Sequence, residues 1–98
     1  MNMQQILAQA QKMQRDMQKA QAELEKKEFK ASKNGIVTVT MMGNRELISV
    51  EIDDAGMDKD DKEFLQLAIK DAINDCINQI DSENEAIQEK MSLRMPGF

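Results

Sequence analysis

The 98-residue sequence contains no histidine, tryptophan or tyrosine, and only one cysteine, one proline and three phenylalanines. Without histidine the Ser-His-Asp and Cys-His arrangements of nucleophilic catalysis cannot be built, nor can the zinc sites that mix histidine with cysteine. A single thiol, Cys76, closes no intrachain disulfide, which suits a reducing compartment. No run of about 18 apolar residues reads as a membrane span, and the glutamine-rich first residues do not read as a secretion signal. The three scattered phenylalanines offer no platform for stacking single-stranded bases. These absences predict a cytoplasmic protein that is not an enzyme and takes no cofactor, metal or small-molecule substrate.

With 41% hydrophobic and 32% charged residues, the composition is that of one soluble folded domain. Residues 1–92 are expected to form it, with residues 93–98 as a flexible tail, because Met95-Pro96-Gly97-Phe98 cannot continue a helix. A chain this short buries only about 60 to 65% of its unfolded surface, so oligomerisation is a natural source of extra stability.

The net charge of -5 argues at first sight against nucleic acid, whose binding relies on Lys and Arg neutralising phosphates. The average hides an asymmetry. Residues 1–33 hold seven basic and four acidic side chains, a net of +3, whereas the remaining residues hold six against fourteen, a net of -8. A basic N-terminal element on an acidic body reads either as an electrostatic footprint or as a solvated helix face.

Met3, Ile6, Ala10, Met13, Met17, Ala20 and Leu24 recur at alternating spacings of three and four in a stretch free of Gly and Pro. This is a helix with a narrow apolar seam, for dimerisation or for packing on another helix, and its methionines make the surface adaptable. On the same heptad Lys12, Lys19 and Lys26 occupy position c and Arg15 position f, so the four cations form a stripe roughly opposite the seam. Gln4, Gln11 and Gln18 run beside it at position b, either as contacts for phosphates or base edges or simply as good helix formers.

From Glu28 the period changes to two. Phe29 and Ala31, then Val37, Val39 and Met41, then Ile48, Val50 and Ile52 alternate with polar neighbours, which predicts three strands. Asn34-Gly35 and Gly43-Asn44 mark the turns. A three-residue Lys33-Asn34-Gly35 loop, with Gly35 left-handed and a bulge there, is expected to set Phe29 opposite Val39 and Ala31 opposite Val37. A two-residue type II′ turn at Gly43-Asn44 is expected to set Val39 opposite Ile48 and Val37 opposite Val50. The other face, with Thr38, Thr40, Ser49 and Glu51, is either half exposed or in contact with a second subunit.

Asp60, with Glu63 three residues on, reads as a capping box for a second helix. Leu65, Ile69, Ala72, Ile73, Cys76, Ile77 and Ile80 give that helix a wide apolar face, and Ile87 and Met91 extend the spacing to about Lys90 or Ser92. Asp53, Asp54, Asp58, Asp60 and Asp61 crowd the preceding loop, but their spacing is not that of a calcium hand, and carboxylates near a helix start favour its dipole. The architecture is therefore α+β: a long N-terminal helix, a three-stranded antiparallel meander and a long C-terminal helix, in the order α-β-β-β-α.

Several segments carry a family resemblance. The first helix, Gln9-Ala-Gln-Lys-Met-Gln-Arg-Asp-Met-Gln-Lys-Ala-Gln-Ala-Glu-Leu24, the strand Val37-Thr-Val-Thr40 followed by Gly43, the segments Asp61-Lys-Glu-Phe-Leu65 and Asp71-Ala-Ile-Asn-Asp75, and the Met95-Pro96-Gly97-Phe98 ending are similar to those of the YbaB/EbfC family of bacterial nucleoid-associated proteins. The resemblance implies a tweezer-like homodimer with projecting helices that binds double-stranded DNA and contributes to nucleoid organisation or gene regulation. It also implies Lys12, Arg15, Lys19 and Lys26 as DNA-binding residues, contacting mainly the backbone. The acidic last helix departs from that picture, because Asp71, Asp75, Asp81, Glu83, Glu85 and Glu89 would repel phosphate if it projects beside the first. The competing reading is a protein-protein interaction module that docks a non-DNA partner on the Met-rich first helix.

Overall fold

The computed structural model describes residues 2–93 and follows the expected order, with α1 at Met3–Lys26, β1 at Glu28–Lys33, β2 at Val37–Met42, β3 at Leu47–Ile52 and α2 at Lys62–Leu93. Of the expected tail, Leu93 is the last residue of α2, and residues 94–98 lie outside the described residues. Asn2 opens α1 with a capping box. The Gln5 N–H donates to Asn2 Oδ1 at 2.8 Å, and the Asn2 N–H donates to Gln5 Oε1 at 3.4 Å.

The strands form one antiparallel sheet in the order β1-β2-β3. Its registers differ from the sequence expectation at both turns. At the first, Asn34 and Gly35 both have positive φ, at 56° and 69°, and Ile36 follows as an extra residue before Lys33 pairs with Val37. Phe29 therefore faces Met41 and Ala31 faces Val39. Gly35 is left-handed as expected, but the bulge falls on Ile36, whose side chain is buried. At the second, the Arg45 N–H donates to the Met42 carbonyl and the Met42 N–H to the Glu46 carbonyl, closing a three-residue loop with Arg45 at φ 72°. Val39 then pairs with Val50 and Val37 with Ile52, and a bulge between Thr40 and Met41 absorbs Ile48. Both slips amount to two residues, so each side chain keeps its face.

Asp58, rather than Asp60, caps the entry to α2. Its carboxylate accepts the Asp60 N–H at 2.9 Å at the head of a short 3₁₀ turn over Lys59–Asp61, and α2 begins at Lys62. Asp53 caps the preceding 3₁₀ turn in the same manner through the Ala55 N–H, so two carboxylates of the acidic cluster serve as local caps.

The first half of α2 lies across β1 and β2. Ala68, Ala72, Cys76 and Ile80, one turn apart, are at most 2% exposed, and the small side chains let the helix approach the sheet closely. Phe29, Ala31, Val37, Val39 and Met41 complete the core from below. The second half of α2 leaves the sheet and packs against α1. The body and this two-helix arm together are drawn out to 69 × 21 × 14 Å.

Candidate nucleic-acid interface

An α-helix of 24 residues spans about 36 Å, longer than the sheet beneath it, so α1 projects as one side of the arm. Its seam meets α2 only in part. Leu24 is buried, Ala20, Met17 and Met13 are half-buried, and Ala10, Ile6 and Met3 are exposed. Ala20 and Leu24 face Ala86 and Ile87 of α2 across a shallow apolar groove, with the two helices antiparallel. At Ala20 and Leu24 the seam is thus spent on a neighbour within the same chain.

With the seam turned toward α2, the opposite face turns to solvent. Lys12, Arg15, Lys19 and Lys26 are all exposed there, and at 100° per residue they fall within an arc of about 60°. Three ion pairs join described residues, Lys27 to Glu83, Lys33 to Asp75 and Arg45 to Asp81, and the four stripe cations lie outside them. Asp16 and Glu23 neighbour the stripe on the same helix, so the arm is not uniformly positive.

The same three ion pairs bear on the acidity of α2. Glu83 accepts from Lys27 Nζ at 2.5 Å, Asp81 from Arg45 Nη2 at 2.5 Å, and Asp75 lies 3.4 Å from Lys33 Nζ. Half of the six carboxylates expected to repel phosphate are therefore matched by cations from the end of α1, from β1 and from the β2-β3 turn. No local signal in the sequence announces these pairings, because the partners stand 36 to 56 residues apart. Asp71, Glu85 and Glu89 belong to none of the three pairs.

The base of the arm is fixed by backbone. The Gly43 N–H donates to the Lys27 carbonyl at 2.8 Å, and a Cβ at Gly43 would stand 1.8 Å from the Leu24 carbonyl oxygen. Only glycine admits this approach, which sets the direction in which α1 leaves the sheet.

The rest of the chemistry is sparse. Cys76 is buried against the Phe29 and Val39 carbonyls; burial pushes its thiol pKa up, and Asp75 adds to the effect. Among the described residues, no cluster of three or more His, Cys, Asp or Glu side chains is placed to hold a metal ion, and no helix is long and apolar enough to cross a membrane.

Comparison with known proteins places this geometry. Residues 1–95 match the model of a family described as the YbaB/EbfC DNA-binding family. A nucleoid-associated protein of Clostridium novyi (strain NT) is 44% identical over 101 residues, which cover 100% of this chain and 89% of that protein. A nucleoid-associated protein of Streptococcus agalactiae serotype III is 39% identical over 97 residues, covering 98% of each chain. The crystal structure of an uncharacterized protein from Helicobacter pylori, at 23% identity, superposes with a TM-score of 0.74 over 93% of this chain and 97% of that one, and so shares the fold.

Proposed function

The chain belongs to the YbaB/EbfC DNA-binding family, and on that premise we propose that it is a homodimeric nucleoid-associated protein that grips duplex DNA through Lys12, Arg15, Lys19 and Lys26. The observation that carries this reading is the exposure of all four cations on one face of a projecting helix whose apolar seam is turned toward α2. Cations on a rigid helix act on the phosphate backbone at long range and read little or no sequence. A role in nucleoid organisation or gene regulation follows from such binding, and it places the protein in the cytoplasm with the nucleoid.

The pairing of Asp75, Asp81 and Glu83 supports the reading as well, since it removes part of the repulsion that a net charge of -5 would impose. A partner-docking role for the Met-rich seam is left with less surface, because α2 covers its end at Ala20 and Leu24.

The test is the anisotropy of a labelled random duplex titrated with protein at several salt concentrations. Two subunits offer eight stripe cations, so the log-log slope of affinity against salt should fall at about -4 to -7 if most contacts form. Absence of binding at low salt would overturn the assignment.

A further inference from the structure

The seam of α1 outruns the helix that covers it. The Lys27–Glu83 ion pair fixes the register of the two antiparallel helices. From Glu83, α2 climbs the arm as far as Leu93, and the same climb on α1 from Lys27, at about 1.5 Å per residue in both helices, ends at Met17. The groove that Ala20 and Leu24 share with Ala86 and Ile87 lies below this level. Above it, Met13, Ala10, Ile6 and Met3 have no described residue of α2 opposite them. Exposure grows toward the tip: Met13 is half-buried and Ala10 exposed, while Ile6, Leu7 and Met3 are 43%, 54% and 70% exposed.

The chain itself delivers a matching segment to this strip. Leu93 is followed by Arg-Met-Pro-Gly-Phe, residues 94–98, which lie outside the described residues. Pro96 excludes a helical course and favours an extended Met95. In an extended polyproline-like course of about 3.1 Å per residue and three residues per turn, Met95 and Phe98 fall on one side, about 9 Å apart. Met13 and Leu7 are also about 9 Å apart along α1. Counted from Leu93, Met95 then reaches the level of Met13, and Phe98 that of Leu7 and Ile6. The charges agree with this path. Asp16 is the one acidic side chain among the first 22 residues and the one half-buried charged residue of α1, set beside Met13 and Met17. It stands at the level of Arg94, the one charged side chain of residues 94–98.

We propose that residues 94–98 form a strap that continues past the end of α2 along the open seam of α1, with Arg94 on Asp16, Met95 on Met13, and Phe98 on Ile6 and Leu7. The occupant is the same chain's own segment, because α2 brings it to the seam at high effective concentration. A second copy's α1 laid on the same strip would instead set another Lys12 and Arg15 beside the first pair, and like charges brought together are unfavourable. The strap covers the side opposite Lys12, Arg15 and Lys19, so it leaves the cationic stripe open and keeps the apolar tip of the arm from other chains. It does not depend on the DNA-binding reading.

The experiment is nuclear Overhauser spectroscopy of methyl and aromatic protons on the full chain without DNA, repeated on a mixture of isotope-labelled and unlabelled chains. The Phe98 ring gives cross-peaks to the Ile6 and Leu7 methyls, and they arise within one chain. Amide hydrogen exchange is the companion measurement. Phe98→Ala speeds exchange several-fold over residues 6–13 and leaves β2 unchanged. Arg94→Glu has the same effect, and adding Asp16→Lys restores the protection. If a variant does not fold, the wild-type spectra decide. Cross-peaks that arise between chains in the mixed sample overturn the intrachain strap in favour of a second copy. Absence of contacts from Phe98 to α1, or exchange that a folded Phe98→Ala leaves unchanged, overturns it outright.

Discussion

Lys27 and Glu83 meet through a 2.5 Å hydrogen bond where α1 ends and α2 rises off the sheet, so the junction of body and arm carries an ion pair between groups 56 residues apart. Lys27 also stands 5.4 Å from the centroid of the Phe29 ring, which links it to the core of the body. The pair is more than a third exposed on both sides, so solvent screens it and Glu83→Gln should cost no more than about 1 kcal/mol in urea unfolding. The same change frees Lys27 and removes a negative charge beside the arm. DNA affinity at low salt should therefore rise a few-fold, and a fall would show that Lys27 serves only through Glu83.

The stripe makes a sharper prediction. Lys12, Arg15 and Lys19 are exposed and outside the ion pairs, so converting all three to Glu should abolish duplex binding while leaving the far-UV circular dichroism and melting temperature nearly unchanged. Lys26→Gln alone should flatten the salt dependence by about 0.9 for each phosphate that is no longer neutralised. A triple variant that still binds would remove α1 as the DNA-facing element.

Two glycines should respond differently to alanine. At Gly43 the new Cβ would collide with the Leu24 carbonyl, which neither side can easily avoid, so Gly43→Ala should lose about 3 kcal/mol or more and disturb the arm. At Gly35 there is open space and the cost is conformational, with φ at +69°, so Gly35→Ala should lose about 1 to 2 kcal/mol. Urea unfolding of the two variants side by side checks the order.

Cys76 should react slowly with thiol reagents in the folded protein and at once in denaturant, because burial, and to a lesser extent Asp75, disfavours its thiolate. The sign for stability follows. Below the ordinary thiol value of 9.0 both states keep the proton and stability is unaffected; above it the unfolded chain ionises first, and stability falls. Cys76→Ala should remove that alkaline loss in a pH series of melting temperatures.

Much of the fold was legible because its signals are local. The heptad from Met3 to Leu24, the alternation from Phe29 to Ile52 and the wide face from Leu65 to Ile80 each report an element that the chain forms, although the first three seam residues of α1 and the apolar residues of β3 stay exposed. The turns were less legible. Arg45 takes a left-handed conformation that a sequence reading assigns to Gly or Asn, so a two-residue loop at Gly43-Asn44 was the natural expectation. The bulge at Ile48 likewise leaves no mark in the alternation. The cationic stripe could be read because its members share one helix, whereas the matching of Asp75, Asp81 and Glu83 depends on contacts between distant segments.

The antiparallel arm has a consequence for the order in which the molecule forms. Each strand of the meander finds its neighbour across a short turn, but the seam of α1 is covered only when the end of α2 has been made. Contacts that close long loops form late. The docking of α1 on α2 is therefore expected to follow the condensation of the sheet, so a chain truncated before Ile80 should retain the meander residues yet leave the apolar seam of α1 unmatched and prone to association.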